Sequence, residues 1–374
     1  MKLSLKDFVE QHFPELNMET LNTPAISREK RRDPNSEYVN NIDKSDLLVF
    51  NDDTIIKTEF NNVLFVGFTF YDCYQMFMME KLLLPLYFSY KLKKPVFLDF
   101  GPKVFIVDYE KGVFQDTHIY KKIKFDLVIG RSDGINKFDK KRYLLYRSAK
   151  VVITPVNTFK QPFADKILKN DYLVKCPCPL FTDSLKKSNI RNNFILFLGS
   201  IYNEKGQEEF AMNIDPEIIK DYTILFVGKI MNQKYCSSME KILNEKKINY
   251  VIFDYVDAVY LQYILPKCKY QLLYCSHNHD PNPRAVIEGL WAGLPYLVSD
   301  LVTVPTKIKE LNMGVICRNN DSNDLNLKMK DLLNISYGDE IIQKCESNLT
   351  INTVGNNILR DFNNLYCSIK KINE

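Results

Sequence analysis

No run of roughly 18 consecutive apolar residues occurs in this 374-residue chain, so no segment has the make-up of a membrane-spanning helix. The longest apolar stretches, such as "NVLFVGFTF" (62–70), have the length of strands. The first residues, "MKLSLKDFVEQHFPEL", lack an uninterrupted apolar core because Lys6, Asp7 and Glu10 break it, so they are not read as a secretory signal. Neither G-x-x-x-x-G-K-[ST] nor G-x-G-x-x-G is present, which leaves no sequence signal for a phosphate-binding P-loop or a dinucleotide fingerprint. Asp-x-Asp is missing as well. An excess of one charge is also lacking: 50 Lys and Arg face 46 Asp and Glu, for a net +4, too mild for a nucleic-acid partner. The nine cysteines are odd in number and lack the paired spacing of a zinc site. The one close pair, Cys176 and Cys178 in "KCPCPL", has a proline beside each and reads as loop packing. These absences together predict a soluble, cytoplasmic protein with reduced thiols.

What is present is an ordinary globular composition, 45% hydrophobic and 26% charged, in a chain long enough for two domains. Residues 1–60 are polar and irregular, and "REKRRDPNSEY" (28–38) reads as an exposed basic loop. From residue 62 a rhythm begins. "NVLFVGFTF" reads as a buried strand, and "YDCYQMFMMEKLLLPLYFSYKL" as a buried helix with a kink or break at Pro85. "PVFLDFG" and "KVFIVDY" read as a hairpin or as successive strands. "FDLVIG" (125–130) and "KVVITP" (150–155) read as strands, "KFDKKRYLLYRSA" (137–149) and "TFKQPFADKIL" as helices, and "YLVKCPCP" (172–179) as extended chain.

The pattern pauses at the polar "LFTDSLKKSNIRNN" (180–193), the candidate linker, and then restarts. Strands are expected at 194–200, 222–229, 249–256, 270–276, 295–300 and 314–317. Helices are expected near 206–212, 234–246, 257–266, 284–292, 305–312, 322–334, 338–347 and 355–372. Short apolar runs alternating with helices predict parallel sheets covered on both faces, with ligands beyond the C-terminal strand ends.

The chemistry concentrates in "HDPNPRAVIEGLWAGLPYLVSD" (279–300). Pro283 suits the start of a helix, where its missing N–H costs nothing. The amides of Arg284 and Ala285 are then unpaired donors at a helix N-terminus, suited to phosphate. Asp280 lies in the loop before the helix, and Glu288 lies one turn past Arg284 on the same face. Gly293 fits the C′ position, and Pro295 stops the helix. Carboxylates beside phosphate-binding amides are well satisfied by sugar hydroxyls, so the spacing suits a sugar nucleotide: diphosphate on the helix end, ribose at Glu288, donor sugar near Asp280. A second element, "FILFLGSIYNEKGQEEF", ends a strand in Gly199-Ser200 and places Lys205-Gly206 before a helix, offering a close backbone approach and a cation for the diphosphate. His277 and His279 have metal-ligand spacing but no third ligand cluster.

These two segments resemble the donor domain of GT-B-fold glycosyltransferases, specifically the retaining group called family 4. That group shows a strand followed by Gly-Arg and Lys-Gly, and carboxylates eight positions apart in a segment like "PRVxxEAMACGxPVI". The counterparts here are "LFLGSIYNEKG" (196–206) and "DPNPRAVIEGLWAGLPYLVSD" (280–300), with "TKIKELNMGVIC" (306–317) similar to the helix and strand that follow. The resemblance covers about residues 194–320, and the N-terminal half only in its alternation. Two departures stand out: Asp280 is one methylene shorter than the usual Glu, and Ser200 replaces the arginine. Neither N-terminal histidine, His12 or His118, follows a clear strand end.

The resemblance implies an α/β protein of GT-B fold, two Rossmann-like domains facing across a cleft. Residues 1–60 are expected as an extension belonging to the N-terminal domain, 61–185 as the acceptor domain and 190–350 as the donor domain. Residues 355–374 are expected as a helix crossing back to the N-terminal domain. Asp280 is implied as the catalytic-side carboxylate. The implied donor-binding set is Gly199, Ser200, Lys205, Gly228, Lys229, Tyr255, Val256, Asn282, Pro283, Arg284, Ala285 and Glu288. Phe68, Thr69 and Arg131 follow N-terminal strands and are placed on the acceptor side. The implied activity is metal-independent, retaining sugar transfer from a UDP- or GDP-sugar to a glycan, lipid or small-molecule acceptor, with no cofactor. The absence of Asp-x-Asp agrees with this, since that motif belongs to metal-dependent GT-A transferases. A peripheral membrane contact stays open. The alternatives are a sugar-nucleotide epimerase or hydrolase of similar fold, and a non-catalytic binding or scaffold protein.

Overall fold

The computed structural model describes residues 4–16, 50, 54–66, 80–100, 103–115, 123–130, 151–154, 167–169, 191–254, 256, 258–275, 284–302 and 304–373. The chain divides into two compact units, one of residues 26–180 and 347–374, the other of residues 1–25 and 181–346.

The N-terminal unit holds β1 (Val63–Val66), α2 (Glu80–Leu92), β2 (Val96–Phe100), β3 (Lys103–Asp108), β4 (Gly112–Gln115), β5 (Leu127–Gly130), β6 (Val151–Thr154) and β7 (Ile167–Lys169), and closes with α10 (Ile351–Asn373). The strands form one sheet in the order β4-β3-β2-β1-β5-β6-β7. β2, β1, β5, β6 and β7 are parallel, and β2, β3 and β4 make an antiparallel meander at one edge. The two runs read as a hairpin or as successive strands are therefore a hairpin, and β4 is an additional strand. The segment read as a helix, "TFKQPFADKIL", instead contributes Ile167 and Leu168 to β7. Here a tertiary pairing with β6 overrides local helix propensity. Helix α2 runs through Pro85, which removes one backbone donor but does not end it. The expected helix at 137–149 and the extended segment at 172–179 lie outside the described residues.

Helix α10 packs its apolar face (Ile358, Leu359, Phe362, Tyr366) into the same core as Tyr87 and Phe88 of α2. Gly355 allows this approach: a Cβ there would come within 2.4 Å of the Tyr87 ring. The Tyr87 hydroxyl donates to Asn356 Oδ1 at 2.8 Å. Alanine normally stabilises a helix interior by up to about 1 kcal/mol relative to glycine. At position 355 the sign is expected to reverse: Gly355→Ala should lower the unfolding temperature of this unit by about 5 °C, measured by calorimetry.

The other unit opens with α1 (Leu5–His12), capped by Ser4 Oγ, which accepts from the Asp7 amide at 3.5 Å. This corrects the expectation that residues 1–60 belong wholly to the N-terminal domain. Phe8 packs tilted against Phe194 with ring centroids 5.1 Å apart, and Phe13 meets Phe253 edge-on at 6.1 Å. Lys267 Nζ donates to the His12 carbonyl at 2.7 Å and pairs with Glu15 at 2.9 Å. Burial, then the Lys267 cation, lowers the His12 pKa.

There follow β8 (Phe194–Leu198), a 3-10 turn (Asn203–Lys205), α3 (Gln207–Asn213), β9 (Thr223–Val227), α4 (Gln233–Glu245), β10 (Asn249–Phe253), α5 (Ala258–Ile264), β11 (Tyr270–Leu273), α6 (Arg284–Trp291), β12 (Tyr296–Ser299), α7 (Thr306–Glu310), β13 (Gly314–Cys317), α8 (Ser322–Leu333) and α9 (Asp339–Asn348). All six strands are parallel, in the order β10-β9-β8-β11-β12-β13. The strand order therefore reverses direction between β8 and β11, the switch point at which open parallel sheets leave a crevice for ligands.

Candidate donor site at the sheet switch point

β8 and β9 are each followed directly by a glycine. Gly199 and Gly228 have φ of +151° and +157°. A Cβ on Gly228 would stand 2.1 Å from the Gly199 carbonyl oxygen, so the two strand ends touch backbone to backbone. Past the glycines the loops stay paired: the Ile201 amide donates to the Lys229 carbonyl at 2.9 Å and the Met231 amide to the Ile201 carbonyl at 3.0 Å. Asp254, at the end of β10, accepts from the Ile230 amide at 2.9 Å and ties in the next loop, where Val256 is half-buried. Gly199, Ser200, Gly228 and Lys229 thus form one contiguous rim.

Lys205 ends the 3-10 turn, and Gly206 leaves it in the left-handed region at φ 68°. A Cβ on Gly199 would lie 4.0 Å from Cδ and Cε of Lys205, so the lysine's methylene chain passes over that glycine. The cation also reaches the neighbouring strand. Burial pushes the Cys275 thiol, just past β11, up to about 11, while the Lys205 charge opposes that shift and Glu204 adds to it. The Tyr202 hydroxyl is raised by burial and by its hydrogen-bonded neighbour Glu204. Lys205, Glu204, Tyr202 and Cys275 therefore gather at the crevice between β8 and β11. The Cys275 carbonyl accepts from the fully buried Ser299 hydroxyl at 2.8 Å, which fixes the start of the loop that follows β11.

Helix α6 is clamped to the sheet from beneath. Buried Gln271 of β11 donates to the Val286 carbonyl at 3.0 Å and the Leu294 carbonyl at 2.8 Å. Gly289 makes room for it, since a Cβ there would fall 2.2 Å from Gln271 Oε1. The helix ends in a Schellman motif: the Leu294 amide reaches the Gly289 carbonyl at 2.8 Å, the Gly293 amide reaches Leu290 at 2.9 Å, and Gly293 has φ +81°. Arg191, from the segment read as a polar linker, is held at the same end, donating to the Ala292 and Cys268 carbonyls at 2.8 Å each. Helix α6 begins at Arg284, and Ala285 and Glu288 are half-buried along it.

Of the residues predicted from sequence, Asp280, Asn282, Pro283, Tyr255, Phe68, Thr69 and Arg131 lie outside the described residues, as do His277, His279, Cys176, Cys178 and His118. Among the described residues no group of three or more His, Cys, Asp or Glu could hold a metal ion. Likewise no described helix is long and apolar enough to cross a membrane. Sequence reasoning missed Tyr202, Glu204, Gln207, Gln271, Cys275 and Ser299. Most are single residues within a few positions of a strand's C-terminal end, and that location was the one signal available.

Residues 181–348 match the family model described as glycosyl transferases group 1. The chain carries a glycosyl transferases group 1 domain. That domain makes the protein a glycosyltransferase. No curated protein gives a significant sequence match. Similar solved structures include AviGT4, a glycosyltransferase involved in avilamycin A biosynthesis, at 12% identity and TM-score 0.48, covering 66% of this chain and 77% of that one. A glycosyltransferase from Rickettsia africae matches at 15% identity and TM-score 0.47, covering 84% and 99%. HepE of Anabaena, solved in complex with UDP and glucose, matches at 11% identity and TM-score 0.47, covering 80% and 99%. The two α/β units and the matched family agree with a GT-B fold class. The family match spans the unit in which the glycosyltransferase gathers its strand-end glycines and Lys205.

Proposed function

We propose that this glycosyltransferase takes its sugar from a UDP- or GDP-sugar bound at the β8/β11 switch point and transfers it with retention of configuration. Support comes chiefly from the close contact of the Gly199 and Gly228 strand ends under the Lys205 side chain. It opens a backbone-lined shelf with a cation at its edge, which suits a diphosphate. On this proposal the α6 amides at Arg284 and Ala285 complete the diphosphate site with Asn282 and Pro283. Glu288 accepts from the ribose hydroxyls, and Lys229, Tyr255 and Val256 border the base. Asp280 faces the donor sugar. The bond from the anomeric carbon to the diphosphate oxygen breaks, and one to the acceptor oxygen forms. A glycan, lipid or small-molecule acceptor is assigned to the N-terminal unit near Phe68, Thr69 and Arg131. Charge on the leaving diphosphate is met by Lys205 and the helix amides rather than by a metal, so chelator should leave the rate unchanged.

The test is nucleotide binding by calorimetry with UDP and GDP. Glu288→Ala is expected to weaken the nucleotide that binds by about tenfold to a hundredfold, from loss of a bidentate carboxylate–hydroxyl contact. Unchanged affinity would remove Glu288 from the donor site. An inverted product would overturn retention.

A further inference from the structure

Gln207 is one of the residues beside the candidate site that its sequence motifs do not single out. It is the first residue of α3, directly after Lys205-Gly206, and its side chain is fully buried. Its Nε2 reaches back across the 3-10 turn and donates to the Ser200 carbonyl at 3.0 Å. Its Oε1 is buried with no hydrogen-bond partner among the described residues. A buried amide with one end unmatched is a poor choice for stability alone, so the matched end is what justifies it. That end closes a ring. Ser200 is held by Gln207, the adjacent Ile201 amide is held by the Lys229 carbonyl, and the Lys205 and Gly206 amides are tied to the Tyr202 and Asn203 carbonyls at 2.9 and 3.3 Å. Lys205 sits on the ring, with its side chain laid over Gly199.

We infer that Gln207 is a positioning residue that fixes the Ser200–Gly206 loop and thereby holds the Lys205 cation over the diphosphate shelf. With serine at 200, Lys205 is the one cation that the loop after β8 supplies, so its placement sets how that side of the diphosphate is met. The role assigned to Gln207 toward the ligand rests on the nucleotide-sugar function proposed above. The closing of the loop does not.

Two variants separate positioning from mere packing. Gln207→Met keeps the volume and loses the donor. Gln207→Glu keeps the shape; ionised, it sets a carboxylate against the Ser200 carbonyl, and protonated, it restores a donor. Burial raises the pKa of such a carboxyl. The charged or titratable groups nearest it along the chain are Glu204 and Lys205 on the preceding turn and Glu208 and Glu209 on its own helix, and the elements beside that helix add Tyr235 of α4, bonded to the Glu208 amide, Tyr274, packed on Phe210, and Cys275, beside Lys205. Burial raises all three of the last: Tyr274 to about 12, Cys275 to about 11 and Tyr235 higher still. Any other titration appears equally in wild type and in Gln207→Met.

UDP and GDP are titrated into the full chain by calorimetry at about pH 8.5 and about pH 5.5. Gln207→Met is expected to bind about tenfold more weakly than wild type at both pH values. Gln207→Glu should match that loss at the higher pH and recover to within about threefold of wild type at the lower. Wild-type affinity of a folded variant at the higher pH overturns the proposal. Should Gln207→Met not fold, Gln207→Glu compared with itself across the two pH values decides. If wild type binds neither nucleotide, the donor reading falls, and hydrogen exchange of the ligand-free chain decides the role of Gln207. Exchange of the Lys205 and Gly206 amides about tenfold faster in the variants supports it, and equal exchange overturns it.

Discussion

Gly228→Ala is expected to lower the unfolding temperature of the C-terminal unit by about 10 °C and to abolish nucleotide-induced stabilisation. The new Cβ would stand 2.1 Å from the Gly199 oxygen, 2.5 Å from its carbonyl carbon and 3.0 Å from the Ser200 nitrogen. All three are backbone atoms, so no side chain can turn aside. Relief requires the ends of β8 and β9 to separate. That puts at risk the hydrogen bonds from Gly199 to Val227, from Ile201 to Lys229 and from Met231 to Ile201. At about 1 kcal/mol each, with about 1–3 kcal/mol for an alanine at this φ, the cost reaches about 4–6 kcal/mol. The neighbouring glycine is the control. A Cβ on Gly199 meets only the Lys205 methylenes at 4.0 Å, so Gly199→Ala carries the φ cost alone, about 1–3 kcal/mol. Thermal unfolding of the two variants with and without UDP or GDP checks the order. Equal effects would mean that the strand ends are not in contact.

Lys205→Ala is expected to reduce sugar transfer by about a hundredfold to a thousandfold while leaving the fold intact. The side chain is half-buried and ends the 3-10 turn, so its removal leaves no cavity in the core. What is lost is a positive charge set beside the β8/β11 crevice, where its field already offsets part of the upward shift of the Cys275 thiol. On the proposed donor chemistry the departing diphosphate gains charge as its bond to the anomeric carbon breaks, so a fixed cation acts more strongly on the transition state than on the bound donor. The drop should therefore appear in kcat as well as in KM. Arginine keeps the charge but not the compact head, and Lys205→Arg should recover only part of the rate. Donor turnover of the three proteins checks this, and a loss under about threefold for Lys205→Ala would take the lysine out of the site.

The C-terminal sheet was legible because buried parallel strands are short continuous apolar runs separated by helical segments of contrasting pattern. "FILFL", "TILFV" and "GVIC" each fall where expected, and a glycine follows "FILFL" and "TILFV" at the rim of the candidate site. β7 was read as a helix because three residues carry little period, and their pairing with β6 is not local. β4 went unread because four residues after a turn look like loop. The destination of α1 was illegible for a similar reason: its partners, Phe194, Phe253 and Lys267, are far along the chain. Buried polar residues were the hardest to see. Gln207, Gln271 and Ser299 look like surface positions in sequence, yet Gln207 and Ser299 each donate to one specific carbonyl and Gln271 donates to two.

The exchange of ends between the units bears on how the chain is made. Phe60, Tyr87 and Phe88 share a core with Ile358, Leu359 and Phe362, so the N-terminal sheet cannot be fully covered until the C-terminal sheet has been synthesised. Residues 4–16 wait in the same way for β8 and β10 to exist. A nascent chain halted near residue 180 would carry an open apolar face and an undocked helix. A cut between residues 180 and 181 would therefore yield two incomplete units, each missing the helix supplied by the other piece.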